Sequence, residues 1–191
     1  KNNIFICLKK HIVHYPLKEN LLKWYPNSEI FDIDGVTEGQ ACTTEIGIFR
    51  SNKIDFNKPI LITACDNGVY YNVEEYQALV DDINIDIIVW SFRDEPTSRN
   101  NPNMYAWMET DENNFVKSVS CKKFIQEKHD IKKSHVIIGT MFFRKAKYFI
   151  EGLQKNYQEN IRSNGEFYVD DVLNQNIKDG LKVKVFQVEN Y

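Results

Sequence analysis

Short apolar runs and longer amphipathic stretches alternate along the chain. Continuous apolar runs predict strands in the interior of a sheet, and the first run predicts a strand that is buried on both faces. These runs lie at residues 4–8, 59–65, 85–92 and 136–143. More polar stretches predict further strands at residues 28–34, 105–108, 115–121 and 182–188.

Helical periodicity fills most of the intervals between these strands. An imperfect apolar stripe at 11–24 is interrupted by Pro16 and stopped by Pro26. A second helix is predicted to begin at Thr37, because Gln40 follows three residues later as in a capping box. Further helices are predicted at residues 73–80, 146–157 and 169–177, and the polar stretch 93–103 predicts a loop.

The order of these elements predicts the fold class. Strands and helices alternate in the first half, which favours right-handed crossovers and a mostly parallel sheet. Consecutive strands in the second half make the sheet mixed. We therefore expect one domain over residues 1–191, built as a three-layer α/β sandwich with a mixed, mostly parallel sheet.

Composition and charge exclude several classes of protein. The 191 residues include 24 Lys and Arg against 27 Asp and Glu, a net charge of −3, which disfavours broad nucleic-acid or anionic-membrane binding. A content of 42% hydrophobic and 13% aromatic residues disfavours disorder. No run approaches the roughly 20 apolar residues of a membrane helix. The four cysteines form no CxxC pair, so we expect reduced thiols and a cytoplasmic location.

Asp66 is the first candidate for chemistry. It follows the apolar strand at 59–65, and ligands of open α/β sheets bind beyond the carboxyl ends of strands. A carboxylate at that edge suits magnesium, which prefers oxygen ligands and retains water beside phosphate oxygens. The alternative is an ordinary turn, because Asp66, Asn67 and Gly68 are all residue types that favour turns.

The second candidate is the polar stretch 35–44, between a strand and a helix. Its small residues would let a ligand approach backbone donors at a helix N-terminus. The alternative is a plain helix cap, and the stretch is neither a Walker A loop nor a GxGxxG fingerprint. Its candidate binding residues are Glu38, Gly39, Gln40, Ala41 and Thr43.

Two further candidates lie in the second half of the chain. Lys122 and Lys123 end a strand and could neutralise a phosphate, although lysine pairs are usually solvated surface. Gly139 and Thr140 lie inside an apolar strand, where a glycine often marks close approach of a ligand or of backbone.

The polar stretch 165–171 is the last candidate. Glu166 would accept hydrogen bonds from sugar hydroxyls, and Asp170 or Asp171 would equally suit a helix N-terminus. The histidines form no visible triad with a serine or cysteine. They are His11, His14, His129 and His135.

Taken in order, the stretches 36–43, 62–67, 138–143 and 165–171 resemble the sugar-phosphate nucleotidyltransferase family, and most of all its bacterial members encoded with capsule and surface-polysaccharide genes. The resemblance implies the Rossmann-like nucleotide-diphospho-sugar transferase fold of the glycosyltransferase-A kind. It also implies a reaction in which a sugar 1-phosphate or similar phosphomonoester attacks a nucleoside triphosphate and pyrophosphate is released.

Roles for individual residues follow from the resemblance. Asp66 would bind Mg²⁺, Lys122 or Lys123 would approach the acceptor phosphate, and the residues from Glu38 to Thr43 would lie against the base. The remaining candidates would contact the sugar or acceptor. They are Asn67, Gly139, Thr140, Glu166 and Asp171.

The chain departs from the family pattern at both ends. The family's Gly-rich phosphate loop has no counterpart before Ile4, and its second metal aspartate generally lies beyond Tyr191. We therefore expect a domain truncated at both ends that is inactive or nearly so alone. Two other functions stay open: a glycosyltransferase of the same fold, which normally has an Asp-x-Asp site, and a domain that binds a nucleotide or a partner without turnover. An oligomer also stays open.

Overall fold

The strands and helices of this protein follow the predicted order closely. The structure is a computed structural model and describes residues 2–66 and 68–191. The strands in this part are β1 (Ile4–Leu8), β2 (Glu29–Ile33), β3 (Ile60–Thr63), β4 (Ile87–Phe92), β5 (Trp107–Thr110), β6 (Val116–Ser120), β7 (His135–Phe143) and β8 (Val183–Gln187). The α-helices are α1 (Lys9–His14), α2 (Leu17–Trp24), α3 (Gln40–Arg50), α4 (Val73–Asp81), α5 (Pro96–Asn100), α6 (Ala146–Glu159) and α7 (Val169–Lys178).

The larger sheet has the strand order β6-β5-β7-β4-β8, with β3 also paired to β7. Strand β7 runs antiparallel to β3, β4 and β5, whereas β4 and β8 are parallel. Strands β3, β4, β5 and β8 therefore share one direction, and β6 and β7 run against them. The sheet is mixed, as predicted, and β7 makes most neighbouring pairs antiparallel because it lies at the centre.

Strands β1 and β2 form a separate two-stranded parallel sheet, with Ile4 opposite Glu29. Helix α3 packs on β1 so closely that a Cβ on Gly47 would lie 2.2 Å from Ile6 Cδ1. The prediction that β1 is buried on both faces is wrong, since each of its residues is only half-buried. Its apolar run resembles that of a central strand, but within the described residues its pairing partner is β2 alone.

Helices cover both faces of the larger sheet, which confirms the three layers. Phe149, Leu153 and Leu173 from α6 and α7 pack with Ile87 and Val89 on one face. On the other face, Ile88 and the next alternate residues of β4 pack against α4. There the ring centroids of Tyr76 and Trp90 lie 5.0 Å apart.

Several boundaries differ from the predictions. The stripe at 11–24 forms two helices, because Pro16 removes a backbone donor and Tyr15 before it is extended. Helix α3 begins at Gln40 rather than Thr37, since the Thr37 hydroxyl bonds Gly39 O and Thr43 Oγ1 instead of capping amides. The predicted loop at 93–103 contains α5 and a short 3-10 helix. Among the described residues, no helix has the length and apolar character needed to cross a membrane.

Candidate functional site

Asp66 lies just beyond the carboxyl end of β3. Gly139 in β7 allows this end of β3 to lie close to β7. Gly139 has φ +92°, and a Cβ there would lie 3.1 Å from Ala64 Cβ. The Ala64 N–H donates to Gly139 O at 2.9 Å, and the hydroxyls of Thr63 and Thr140 are 3.1 Å apart. The predicted residues Asp66, Gly139 and Thr140 therefore belong to one sheet edge. Asn67 lies outside the described residues.

The surroundings of Asp66 are acidic and aromatic. Burial raises the pKa of Tyr191, and Tyr105, Asp66 and Glu95 raise it further through their charges. Within the described part of the chain, no group of three or more His, Cys, Asp or Glu side chains could hold a metal ion. A single exposed carboxylate such as Asp66 fits magnesium that takes its other ligands from phosphate and water.

The predicted nucleotide segment, residues 38–43, lies directly against the chain near Phe167. The Phe167 N–H donates to Glu38 O at 2.8 Å, and the Ala41 N–H donates to Phe167 O at 3.0 Å. Gly39 has φ +137°, and a Cβ there would lie 2.3 Å from Phe167 O. The close approach that requires a glycine is therefore made by this chain's own backbone.

The other members of the segment have different surroundings. Glu38 and Gln40 are exposed, whereas Ala41 is fully buried and its amide is engaged by Phe167. The Thr43 hydroxyl lies 2.7 Å from the Thr37 hydroxyl. Glu38 and Gln40 are thus the predicted residues here whose side chains face solvent.

Glu166 ends a tight hairpin that sequence reasoning missed. Ser163 and Glu166 exchange two backbone hydrogen bonds of 3.0 Å, and the residues between them, Asn164 and Gly165, have φ +50° and +83°. Positive φ at both positions is typical of a type I′ turn, and Asn-Gly is its usual sequence. The Asn164-Gly165 dipeptide is therefore the sequence signal that predicts this hairpin. We call residues 163–166 the acceptor hairpin, after the acceptor contact that the sequence resemblance implies for Glu166.

Lys122 reaches the same region, whereas Lys123 is exposed. The Lys122 ammonium donates to Met104 O at 2.6 Å and lies 5.1 Å from the ring centroid of Tyr168. Burial raises the pKa of Tyr168 to about 12, and a hydrogen bond with Glu166 contributes. The structure therefore brings Lys122 and Glu166 to the same tyrosine.

Asp170 and Asp171 begin α7 inside the protein. Asp170 is 9% exposed and Asp171 is 6% exposed. Burial raises the pKa of Asp170 to about 7, and the charge of Asp171 adds to it. Asp171 Oδ2 has no hydrogen-bond partner among the described residues. A substrate contact by Asp171 stays a prediction, and in this structure its carboxylate faces the interior.

A cleft of about 630 Å³ opens between α3 and the C-terminal end of α6. Arg162 Nη2 donates to Glu38 Oε2 at 2.6 Å, and the Tyr157 hydroxyl donates to Glu45 Oε2 at 2.9 Å. Sequence reasoning did not single out Arg162 or Tyr157, because each is an isolated residue with no local motif. The lining comprises Val36, Thr37, Glu38, Cys42, Glu45, Ile46, Tyr157, Asn160, Arg162 and Phe167.

Two histidines lie within hydrogen-bond distance of a serine, His129 near Ser120 and His135 near Ser91. The second pair is the more deeply buried. Ser91 Oγ lies 2.8 Å from His135 Nδ1, and Arg93 contacts the other ring nitrogen. Ser91 is 0% exposed and His135 is 2% exposed. Burial lowers the pKa of His135 to about 4, and Arg93 lowers it further. The pair is closed to substrate and joins β4 to β7.

No protein-family model and no curated protein sequence matches the chain. Solved structures do match. A nucleoside-diphosphate-sugar pyrophosphorylase from Vibrio cholerae RC9 superposes with a TM-score of 0.71 at 16% identity, over 98% of this chain and 72% of that one. This chain has the nucleotidyltransferase fold.

Two other structures give the same result. The inositol-1-phosphate CTP transferase from T. maritima has a TM-score of 0.67 at 12% identity, over 97% of this chain and 66% of that one. A protein assigned as a glucose-1-phosphate thymidylyltransferase from Bacillus anthracis has a TM-score of 0.68 at 13% identity, over 98% of this chain and 68% of that one. The nucleotidyltransferase fold thus accounts for nearly all of this chain, and the chain spans 66% to 72% of the length of these proteins.

Proposed function

We propose that this chain is the nucleotidyltransferase domain of an enzyme that transfers a nucleotidyl group from a nucleoside triphosphate to a sugar 1-phosphate or similar phosphomonoester. The observation that carries the proposal is the contact of segment 38–43 with Phe167, directly beside Glu166. The sequence resemblance implies that segment 38–43 lies against the nucleotide base and that Glu166 contacts the sugar or acceptor. The contact of these two stretches within the nucleotidyltransferase fold supports a shared site.

Nucleotidyl transfer depends more on positioning of the reactants and neutralisation of their charge than on covalent catalysis by the protein. An oxygen of the acceptor phosphate attacks the α-phosphorus, the bond to the bridging oxygen breaks, and pyrophosphate leaves with the electron pair. Asp66 would hold magnesium, which neutralises negative charge on the triphosphate when it is bound. Lys122 supplies a cation beside the acceptor hairpin, and Glu166 accepts hydrogen bonds from hydroxyl groups.

The finer parts of the proposal have separate grounds. A role in surface-polysaccharide synthesis rests on the sequence resemblance, and the use of magnesium rests on the resemblance and on the place of Asp66 after an apolar strand. A cytoplasmic location rests on the four cysteines, which form no CxxC pair. The net charge of −3 is consistent with a small phosphorylated substrate, since such a site needs only a few local cations.

Binding calorimetry with a panel of nucleoside triphosphates tests the proposal without requiring turnover. We expect magnesium-dependent binding of at least one triphosphate. Asp66→Asn should weaken it about tenfold or more, because a carboxylate–metal contact is lost. The matched control is Glu151→Gln, an exposed carboxylate on α6 that should leave the affinity unchanged.

The same experiment separates the proposal from its alternatives. Tighter binding of a nucleoside diphosphate sugar than of any triphosphate would favour a glycosyltransferase. Triphosphate binding that is indifferent to both magnesium and Asp66→Asn would remove Asp66 from the metal role. Absence of binding by every triphosphate at millimolar concentration would contradict the proposed function.

A further inference from the structure

Arg162 joins the two stretches that the proposed function assigns to nucleotide and acceptor. We propose that Arg162 is a positioning residue that holds segment 38–43 and the acceptor hairpin in one fixed geometry. The inference deepens the proposed function and rests on it for its catalytic consequence. Its structural part, the fixed geometry, stands on contacts within the chain.

Each nitrogen of the Arg162 guanidinium has its own partner. Nη2 donates to Glu38 Oε2 at 2.6 Å, and Nη1 donates to Gly165 O at 3.0 Å. Nε donates to Asn160 Oδ1 at 2.8 Å, which ties the group to the end of α6. The guanidinium carbon also lies 3.9 Å from the ring centroid of Phe167.

This arrangement uses properties that only arginine has. A planar guanidinium presents donors in a fixed fork and stacks on an aromatic face, whereas a lysine ammonium is a single point charge on a flexible stem. The Arg162 side chain is 29% exposed and that of Glu38 is 69% exposed, so the ion pair is partly screened by solvent. The stabilising effect therefore comes from all four contacts together rather than from the ion pair alone.

Two backbone hydrogen bonds depend on that geometry. The Phe167 N–H donates to Glu38 O, and the Ala41 N–H donates to Phe167 O. Beside these bonds, Arg162 connects the side chain of Glu38 with the backbone of Gly165. Without the guanidinium, the two backbone bonds would open more often, because the link that holds the hairpin against segment 38–43 is lost.

Amide hydrogen exchange in Arg162→Met and Arg162→Lys tests the structural part. In Arg162→Met, we expect exchange at the Phe167 and Ala41 amides to accelerate about tenfold or more, the amount that loss of a charge-assisted hydrogen bond produces. Arg162→Lys should restore part of the protection, because charge remains but the fork is lost. Exchange at Val89 in the centre of β4 should not change.

The matched control is Lys155→Met. It removes an exposed ion pair between Lys155 on α6 and Asp179 at the end of α7. It should leave exchange at Phe167 and Ala41 unchanged. Unchanged exchange at both amides in Arg162→Met, or equal acceleration at Val89, would overturn the positioning role. Either result would do so whether or not the protein binds nucleotides.

The functional part has its own readout. In a protein that binds triphosphate, Arg162→Met should weaken triphosphate binding several-fold while Lys155→Met leaves it unchanged. Accelerated exchange at Phe167 with unchanged affinity would show that Arg162 supports the hairpin without positioning the nucleotide segment. Absence of triphosphate binding in the unsubstituted protein would contradict the proposed function and leave the exchange result standing.

Discussion

Replacing Gly39 by alanine is expected to lower the free energy of unfolding by about 2–4 kcal/mol. Gly39 has φ +137° and ψ 173°, a backbone conformation that is almost restricted to glycine. A Cβ there would also lie 2.3 Å from Phe167 O and 2.7 Å from Phe167 N. Relief of that overlap would require breaking the contact between the nucleotide segment and Phe167. Triphosphate affinity should therefore fall together with stability.

Urea-induced unfolding measures the effect, with Gly35→Ala as its control. Gly35 lies four residues earlier, and beyond its two chain neighbours no atom comes within 4 Å of a Cβ built on it. Gly35→Ala should change the free energy of unfolding by less than about 0.5 kcal/mol. If Gly39→Ala were as mild as Gly35→Ala, the described contact with Phe167 would be incorrect.

The second large effect concerns the buried carboxyl group of Asp170. Its pKa is raised to about 7 by burial and then by Asp171, above the ordinary value of 3.8. The folded state therefore binds the proton more tightly than the unfolded state, so this group stabilises the protein most at low pH. That stability is lost as the pH rises from about 4 to 7, by at most about 1.4 kcal/mol per pH unit.

Asp170→Asn should remove this dependence, because an amide of the same shape does not ionise. We expect the variant to gain stability over the unsubstituted protein between pH 4 and 7, with a constant difference of a few kcal/mol above pH 7. Unfolding measured across this range gives the result. Asp81→Asn, which makes the same substitution at an exposed position on α4, is the matched control. A difference for Asp170→Asn that stays flat with pH would contradict a protonated buried carboxyl group.

The interior of the fold could be predicted from sequence because burial leaves a periodic pattern. Every residue of β4 is buried, and its apolar run predicted a central strand. The run of β1 predicted the same, yet its residues are half-buried, since an apolar run reports the strand but not its neighbours. Likewise, the central position of β7 follows from pairing between distant residues, which no local pattern contains.

The candidate site divides in the same way. The position of Asp66 beyond the end of β3 was predictable because an apolar run marks the strand before it, whereas its role in metal binding stays a prediction. Arg162 was not, because its partner Glu38 lies 124 residues away and neither residue belongs to a motif. Gly39 was singled out as a point of close approach, but the approaching atoms are those of Phe167. Only the structure distinguishes such a backbone contact from a ligand contact.

A nuclear magnetic resonance titration of the ¹⁵N-labelled chain with a nucleoside triphosphate and magnesium tests the proposed nucleotide site most directly. We expect saturable shifts at the amides of Asp66, Gly39, Gly139 and Glu166, with little change in α4. Omission of magnesium or the Asp66→Asn substitution should reduce these shifts strongly. Shifts confined to other surfaces, or none at millimolar triphosphate, would contradict a nucleotide site at this edge of the sheet.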